Sequence, residues 1–374
     1  MRIGIVCYPS IGGSGLVATQ LGLNLAERGH EVHFISYTTP FKLKEYTQGV
    51  QFHAVDPIDY PLFHQTLYTF SLTAKIIEVV EEFNLDLVHA HYSIPHSLCA
   101  HLAREITGRN FKIVTTLHGT DVTIVGQDKP LFPINKYGIE KSDKVTTVSR
   151  FQRDYTKEHL GIRKEIEVIY NFIDPDVFVP REKPTRCLAC ADERLIMHIG
   201  NFRQPKNPDG VLRTFKQVAA AVPKARLALV GEGPELAKFK QECREAGICN
   251  RIKYLGALDN VETVLPMADC VLQPSYRESF GMVLLEAMAC QVPTVSSNVD
   301  GIPEVVAHGE TGFIADPDDS DAMAKHIIEI CRNPGLQRDM GVAGRQRAIS
   351  LFHRNTIVPQ YLDCYERVLN GDHR

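Results

Sequence analysis

The chain has 374 residues, enough for two domains with substantial cores. Lys and Arg (41) nearly balance Asp and Glu (45), and the formal net charge of −4 offers no basic footprint for nucleic acid or an anionic membrane surface. With 44% hydrophobic and 23% charged residues the composition is that of an ordinary globular protein, and no apolar run approaches the roughly 18 residues needed to span a bilayer, so no stable membrane contact is expected.

In chain order, Met1-Arg2 leads straight into an apolar strand at 3–7, which leaves no room for a signal peptide and makes the cytoplasm the expected location. A helix from about 15 to 28 and a strand at 31–36 follow. After an irregular stretch rich in Pro, Phe and Tyr, the pattern predicts a helix over 67–83 and a strand at 85–90. A helix around 95–107, a strand at 112–117, a helix near 134–141 and a strand at 144–148 come next. This alternation predicts a parallel, doubly wound sheet with right-handed crossovers.

Around 175–184 the pattern breaks into Asp/Pro-rich sequence, then the charged, Cys-containing stretch 186–194, the predicted domain boundary. Beyond it the alternation restarts, with strands at 195–199, 225–230, 252–255, 270–274, 294–296 and 312–315. Helices are expected at 209–221, at 234–246, from near Phe280, and in the tail from about 322. The expected domains are 1–180 and 181–354, both α/β and Rossmann-like, with a C-terminal helix at about 355–374 packing back onto the first. Ligands of such sheets bind beyond the carboxyl ends of the strands, so the expected site is the cleft between domains.

Of ten cysteines, Cys7, Cys99, Cys270, Cys290 and Cys331 sit in apolar contexts and read as reduced core residues. Cys187-Leu-Ala-Cys190 is the one C-x-x-C pair; no second pair stands at zinc spacing, so it reads as linker thiols.

The chemistry concentrates after the strand at 270–274, in Glu278-Ser-Phe280-Gly281-Met282-Val283-Leu-Leu-Glu286. A glycine at a strand-to-helix turn leaves amide N–H groups at a positive dipole end, where phosphate binds. Two acceptor-only carboxylates, Glu278 and Glu286, flank it, which suits phosphate in the middle and hydroxyls at both ends, as in a nucleotide-sugar. The plain alternative is a capped helix with two solvated glutamates.

Gly12-Gly13-Ser14-Gly15 opens the first helix and permits close backbone approach to an oxyanion or sugar. Gly13 to Ala18 also matches the dinucleotide pattern G-x-G-x-x-A, so an NAD(P) oxidoreductase is an alternative. Against it, the second strand ends without the acidic residue that would bind the ribose. Arg203 and Lys206 follow the strand at 195–199 and suit a diphosphate, or are solvated loop cations. Gly231-Glu-Gly233 would let backbone lie against a ligand, or is a simple turn. His118 ends the strand at 112–117 and could donate to a sugar hydroxyl. His89 and His91 share a strand face but lack a carboxylate partner, so no metal site is expected.

Together these residues resemble the retaining glycosyltransferases of family four, with the GT-B fold, over nearly the whole chain. The most specific part is Glu278 and Glu286 with Phe280-Gly281 between them, followed by Pro293 and Asp300-Gly-Ile-Pro303-Glu304. The resemblance implies that Glu286 holds the nucleotide ribose and Glu278 the donor sugar, while the amides of Phe280, Gly281, Met282 and Val283 hold sugar or phosphate. The family's basic pair is Arg-x4-Lys. Lys206 matches it, but Asn201 stands at the arginine position and Arg203 is two residues later.

Tyr8-Pro-Ser-Ile-Gly-Gly-Ser-Gly, Tyr92-Ser-Ile-Pro-His96, Thr115-Thr-Leu-His-Gly-Thr-Asp121, Gly138-Ile-Glu-Lys-Ser-Asp143 and Tyr170-Asn-Phe-Ile-Asp174 are similar to members of that family that move N-acetylglucosamine from UDP-GlcNAc to L-malate, the first step of bacillithiol biosynthesis. That similarity implies retention of the α configuration, release of UDP, and no metal or other cofactor. The donor site would comprise Gly13, Asn201, Gly231, residues 280–283 and Glu286, with His118, Glu278, Arg203 and Lys206 acting on the reacting centre. Ser14, Tyr92, Thr116 and Lys136 are the candidates for malate. Rival readings keep the fold and change the acceptor to inositol phosphate, a lipid or a polysaccharide, or make the chain a non-catalytic nucleotide-sugar sensor. A homo-oligomer is compatible with all of them.

Overall fold

A computed structural model describes residues 1–10, 12–43, 46–56, 67–123, 125–180, 188–190 and 192–372. The chain divides into two compact units, Met1–Phe172 with Arg354–Arg374, and Ile173–His353. Residues 173–180, expected in the first domain, belong to the second unit. Ile173 N–H donates to Phe352 C=O at 2.8 Å, and Arg345 donates to the carbonyls of Phe178 and Pro175 at 3.0 and 3.3 Å. Residues 181–187 (with Cys187) and 191 of the expected linker lie outside the described residues, while Cys190 is an exposed thiol.

In the first unit the elements are β1 Arg2–Val6, α1 Ser14–Glu27, β2 Glu31–Ser36, β3 Val50–Ala54, α2 Tyr68–Phe83, β4 Leu87–His91, α3 Leu98–Thr107, β5 Lys112–Leu117, α4 Thr120–Thr123, α5 Phe132–Lys141, β6 Lys144–Thr147, α6 Arg150–Leu160 and β7 Ile166–Val168. Among the described residues they form a parallel sheet in the order β3-β2-β1-β4-β5-β6-β7. Both faces of β1 are covered, hence its unbroken apolar run. Ile3 and Ile5 pack with Leu21, Leu25, Tyr361 and Tyr365, the last two from the terminal helix Arg354–Leu369. Val6, on the opposite face, packs with Leu72, Ile76, Val79 and Ala100 of α2 and α3.

Four of these elements go beyond the sequence expectation, the single-turn α4 among them. β3 is an edge strand, half-buried and carrying Gln51 and His53, so it shows no buried-strand run. β7 has only three residues. α6 is charged, yet its ends carry ordinary signals: the Ser149 side chain accepts from Gln152 N–H, and Gly161 closes it at φ 58°.

The second unit runs β8 Arg194–Ile199, α7 Pro208–Ala221, β9 Ala225–Val230, α8 Leu236–Glu245, β10 Ile252–Gly256, α9 Val261–Val264, β11 Cys270–Gln273, α10 Met282–Ala289, β12 Thr294–Ser297, α11 Ile302–Val305, β13 Gly312–Ala315, α12 Ser320–Arg332 and α13 Pro334–Phe352. Its parallel sheet has the order β10-β9-β8-β11-β12-β13 among the described residues. In each sheet the strand order reverses once, between β1 and β4 and between β8 and β11. Loops leaving the carboxyl ends there diverge to opposite faces and open a crevice for a ligand.

Candidate active site

In the second unit, β8 and β11 are neighbours at the reversal, with Val271 opposite Met197, so the loops that follow them lie side by side. The Pro205 carbonyl accepts from Tyr276 N–H at 2.9 Å and from Arg277 N–H at 3.3 Å. That stitch brings Lys206 onto Glu278, with Nζ 2.5 Å from the carboxylate. Arg203 and Asn201 are exposed on the same loop, and Gly231 leaves β9 next to it, its N–H donating to Gly256 C=O at 2.7 Å.

After Glu278 the chain dips into the core and rises into α10. The Phe280 side chain is 2% exposed and packs edge-to-face on Phe352 at 5.5 Å. Gly281 caps α10 at φ 102°, a left-handed conformation that L side chains rarely adopt. The first amides of a helix have no intrahelical acceptor, so the start of α10 has the character of an end that can bind an anion. Glu286, in the second turn of α10, is 5% exposed.

The first unit has its own cluster at the carboxyl ends of β1, β4 and β5. Gly13 precedes α1 at φ 61°, and Ser14 Oγ donates to the Tyr92 hydroxyl at 2.9 Å. His118, just after β5, has Nε2 2.9 Å from His91 Nδ1. Asp121 ties these loops together: its carboxylate accepts from the N–H groups of His118 (3.2 Å), Gly119 (2.9 Å) and Ser93 (3.4 Å). Burial pushes Asp121 up to about 6 even though those N–H groups favour its charged form. Burial also drives His118 down to about 3, so it is a neutral imidazole at physiological pH.

Two expected acceptor contacts lie elsewhere. The Thr116 side chain is fully buried, its hydroxyl 2.7 Å from His89 Nε2 and 2.6 Å from Thr146 Oγ1; on the strand it points into the sheet's packed face. Lys136 donates to the Gly161 carbonyl at 3.0 Å, at the C-terminal end of α6. There it caps a helix end just before the start of β7, whereas Ser14 and Tyr92 follow the carboxyl ends of the central strands β1 and β4. His89, weighed as half of a metal pair, has its other nitrogen 2.7 Å from the Tyr365 hydroxyl.

Comparison with known proteins shows the family. Residues 11–177 match the family model described as Glycosyltransferase Family 4, and 186–347 the model for Glycosyl transferases group 1. A curated relative, N-acetyl-alpha-D-glucosaminyl L-malate synthase of Bacillus anthracis, is 42% identical over 375 aligned residues, covering 100% of this chain and 98% of the relative. The chain belongs to the family-four glycosyltransferases.

Solved glycosyltransferase structures share the transferase's fold. Sucrose-phosphate synthase from Thermosynechococcus elongatus superposes with a TM-score of 0.83 at 23% identity, covering 99% of this chain and all of that one. Anabaena HepE, solved in complex with UDP and glucose, gives 0.84 at 21% identity over 98% and 99% of the two chains. The fold is GT-B, and the run from Gly13 to Ala18 opens the first helix of a glycosyltransferase rather than of an oxidoreductase. Asp121 and Asp300 stand within the sequence motifs without an expected role of their own. The legible signal was a carboxylate beside glycines at a strand end, where it caps loop amides.

Proposed function

We propose that the transferase moves N-acetylglucosamine from UDP-GlcNAc to the hydroxyl of L-malate, retaining the α configuration and releasing UDP. The observation that carries this reading is the 42% identity to the Bacillus anthracis synthase across the whole chain.

The second unit is assigned the donor. Glu286 takes the ribose hydroxyls and Glu278 the sugar hydroxyls, both as acceptors. The amides of residues 280–283 and the cations of Arg203 and Lys206 take the diphosphate. Charge grows on that diphosphate as its bond to the sugar breaks, and fixed donors aimed at developing charge are the strongest electrostatic lever available. Asn201, Gly231 and Gly13 are assigned to close backbone approach.

From the first unit, His118 is assigned to a sugar hydroxyl, where a neutral imidazole adds a hydrogen bond without a charge. Ser14, Tyr92 and the amides opening α1 are assigned to the malate carboxylates, without Thr116 and Lys136. The malate hydroxyl attacks C1 on the face the phosphate leaves. As the bond from C1 to the phosphate oxygen breaks, that oxygen takes the hydroxyl proton. The reading carries a cytoplasmic location; among the described residues, no helix is long and apolar enough to cross a membrane.

A UDP-release assay over a panel of UDP-sugars and small acceptors, with mass spectrometry of the products, tests it. Release that requires both UDP-GlcNAc and L-malate is expected. Release with inositol phosphate and none with malate would transfer the reading to another acceptor.

A further inference from the structure

One dipeptide holds both backbone groups of Glu278. The Asp300 carboxylate accepts from Glu278 N–H at 3.0 Å through the same oxygen that accepts from Arg277 Nε at 2.8 Å. Gly301 N–H donates back to the Glu278 carbonyl at 3.0 Å. Asp300 lies in the loop between β12 and α11 with φ 48°, a conformation Asp and Asn tolerate better than other side chains when they bond locally. Its side chain is only 11% exposed, so its bond to the Glu278 amide is partly shielded from water. At Gly301 a Cβ would stand 2.2 Å from the Ser279 carbonyl, so the two loops meet backbone against backbone.

The geometry points to Asp300 as a positioning residue for transfer, acting through Glu278; the inference rests on the assignment of Glu278 to the donor sugar. Its carboxylate has two effects on the loop. It fixes the Glu278 amide, and with it the direction in which the side chain leaves the backbone. It also draws the neighbouring Arg277 guanidinium toward β12, while Lys206 sits on the Glu278 carboxylate at 2.5 Å. Deleting the carboxylate releases the Glu278 amide and removes the Arg277 ion pair together. Nucleotide binding is spared, because Glu286 sits on α10, whose position is set by packing against α13.

Asp300→Ala, Asp300→Asn and Asp300→Gly provide the test, read as kcat and KM for UDP-GlcNAc, Kd for UDP and Tm. Asparagine adopts the same backbone conformation and its amide oxygen accepts the same bonds, so Asp300→Asn is expected to keep most of the activity. Asp300→Ala and Asp300→Gly are expected to lose about tenfold or more in kcat/KM, with UDP Kd within about threefold of wild type. Glycine relieves the backbone strain, so an equal loss in that variant assigns the effect to the carboxylate. Wild-type kcat/KM in Asp300→Gly, an Asp300→Asn as impaired as Asp300→Ala, or UDP affinity falling in step with activity would each overturn the proposal. Absence of turnover by the wild-type enzyme would instead refute the proposed function itself, and the positioning role with it.

Discussion

His91 Nδ1 lies 2.9 Å from His118 Nε2, the two rings stacked at 5.1 Å and inclined by 19°. Both imidazoles are held neutral by burial, so the contact is an ordinary hydrogen bond that leaves His118 Nδ1 for the sugar hydroxyl proposed for it. His91→Leu is expected to lower kcat/KM for UDP-GlcNAc about tenfold, the worth of one hydrogen bond to a positioned group. His91→Asn, whose amide falls where Nδ1 was, should recover much of that loss. Steady-state kinetics of the two variants check this, and equal defects in both would contradict it.

Acid should loosen the first unit. Burial depresses His89 to about 3, His96 to about 4, His118 to about 3 and His91 well below its ordinary value. In the unfolded chain each titrates near 6.5, so below that pH the unfolded state binds protons that the folded state refuses. Stability is therefore complete above that value and falls with pH by about 1.4 kcal/mol per pH unit per histidine. Asp121 works in the opposite sense: raised from 3.8 to about 6, it stabilises the fold as pH falls through that window, but it is one group against four. Urea midpoints at about pH 5.5 should lie well below those at about pH 7.5. Equal midpoints would contradict the buried neutral cluster.

Separating nucleotide from diphosphate contacts should split the kinetics. Glu286→Ala removes the acceptor assigned to the ribose, and its UDP-GlcNAc Kd is expected to rise by about tenfold or more, since hydrogen bonds to charged groups contribute about 1.5–3 kcal/mol. Lys206→Ala is expected to lower kcat by about two to three orders of magnitude with a smaller change in Kd, because its charge acts on the leaving diphosphate. Calorimetry and single-turnover rates distinguish the two.

The acceptor assignments part in the same way. Ser14→Ala should raise malate KM several-fold and leave UDP-GlcNAc KM unchanged. Lys136→Ala should leave malate KM at its wild-type value, since that ammonium caps α6 at the Gly161 carbonyl. Thr116→Val should act on stability, by about 1–3 kcal/mol for a broken buried network, and be read in urea midpoints rather than KM.

Much of the architecture was legible because its strands are buried on both faces and read as apolar runs, as at β1 and β11. The turn into α10 was legible for a different reason: Gly281 precedes a run of strong helix formers. β3 was hidden because edge strands tolerate polar residues, and α6 because its charge masked the caps at Ser149 and Gly161. Which way a strand residue faces decided Thr116. Sequence put it beside His118 at the strand's end, yet its hydroxyl turns to His89 and Thr146. Lys136 is a similar case: helix position alone does not say what a long side chain reaches, and its ammonium meets the Gly161 carbonyl. Asp300 was visible only as part of an Asp-Gly turn, and its grip on Glu278 appears once the two loops are folded side by side.

Proton NMR of the product formed from UDP-GlcNAc and L-malate probes the central claim most directly. A GlcNAc-malate conjugate with an α-configured anomeric centre, formed in equal amount with UDP, is the result predicted. A β-configured product, or UDP released at the same rate without malate, would contradict it.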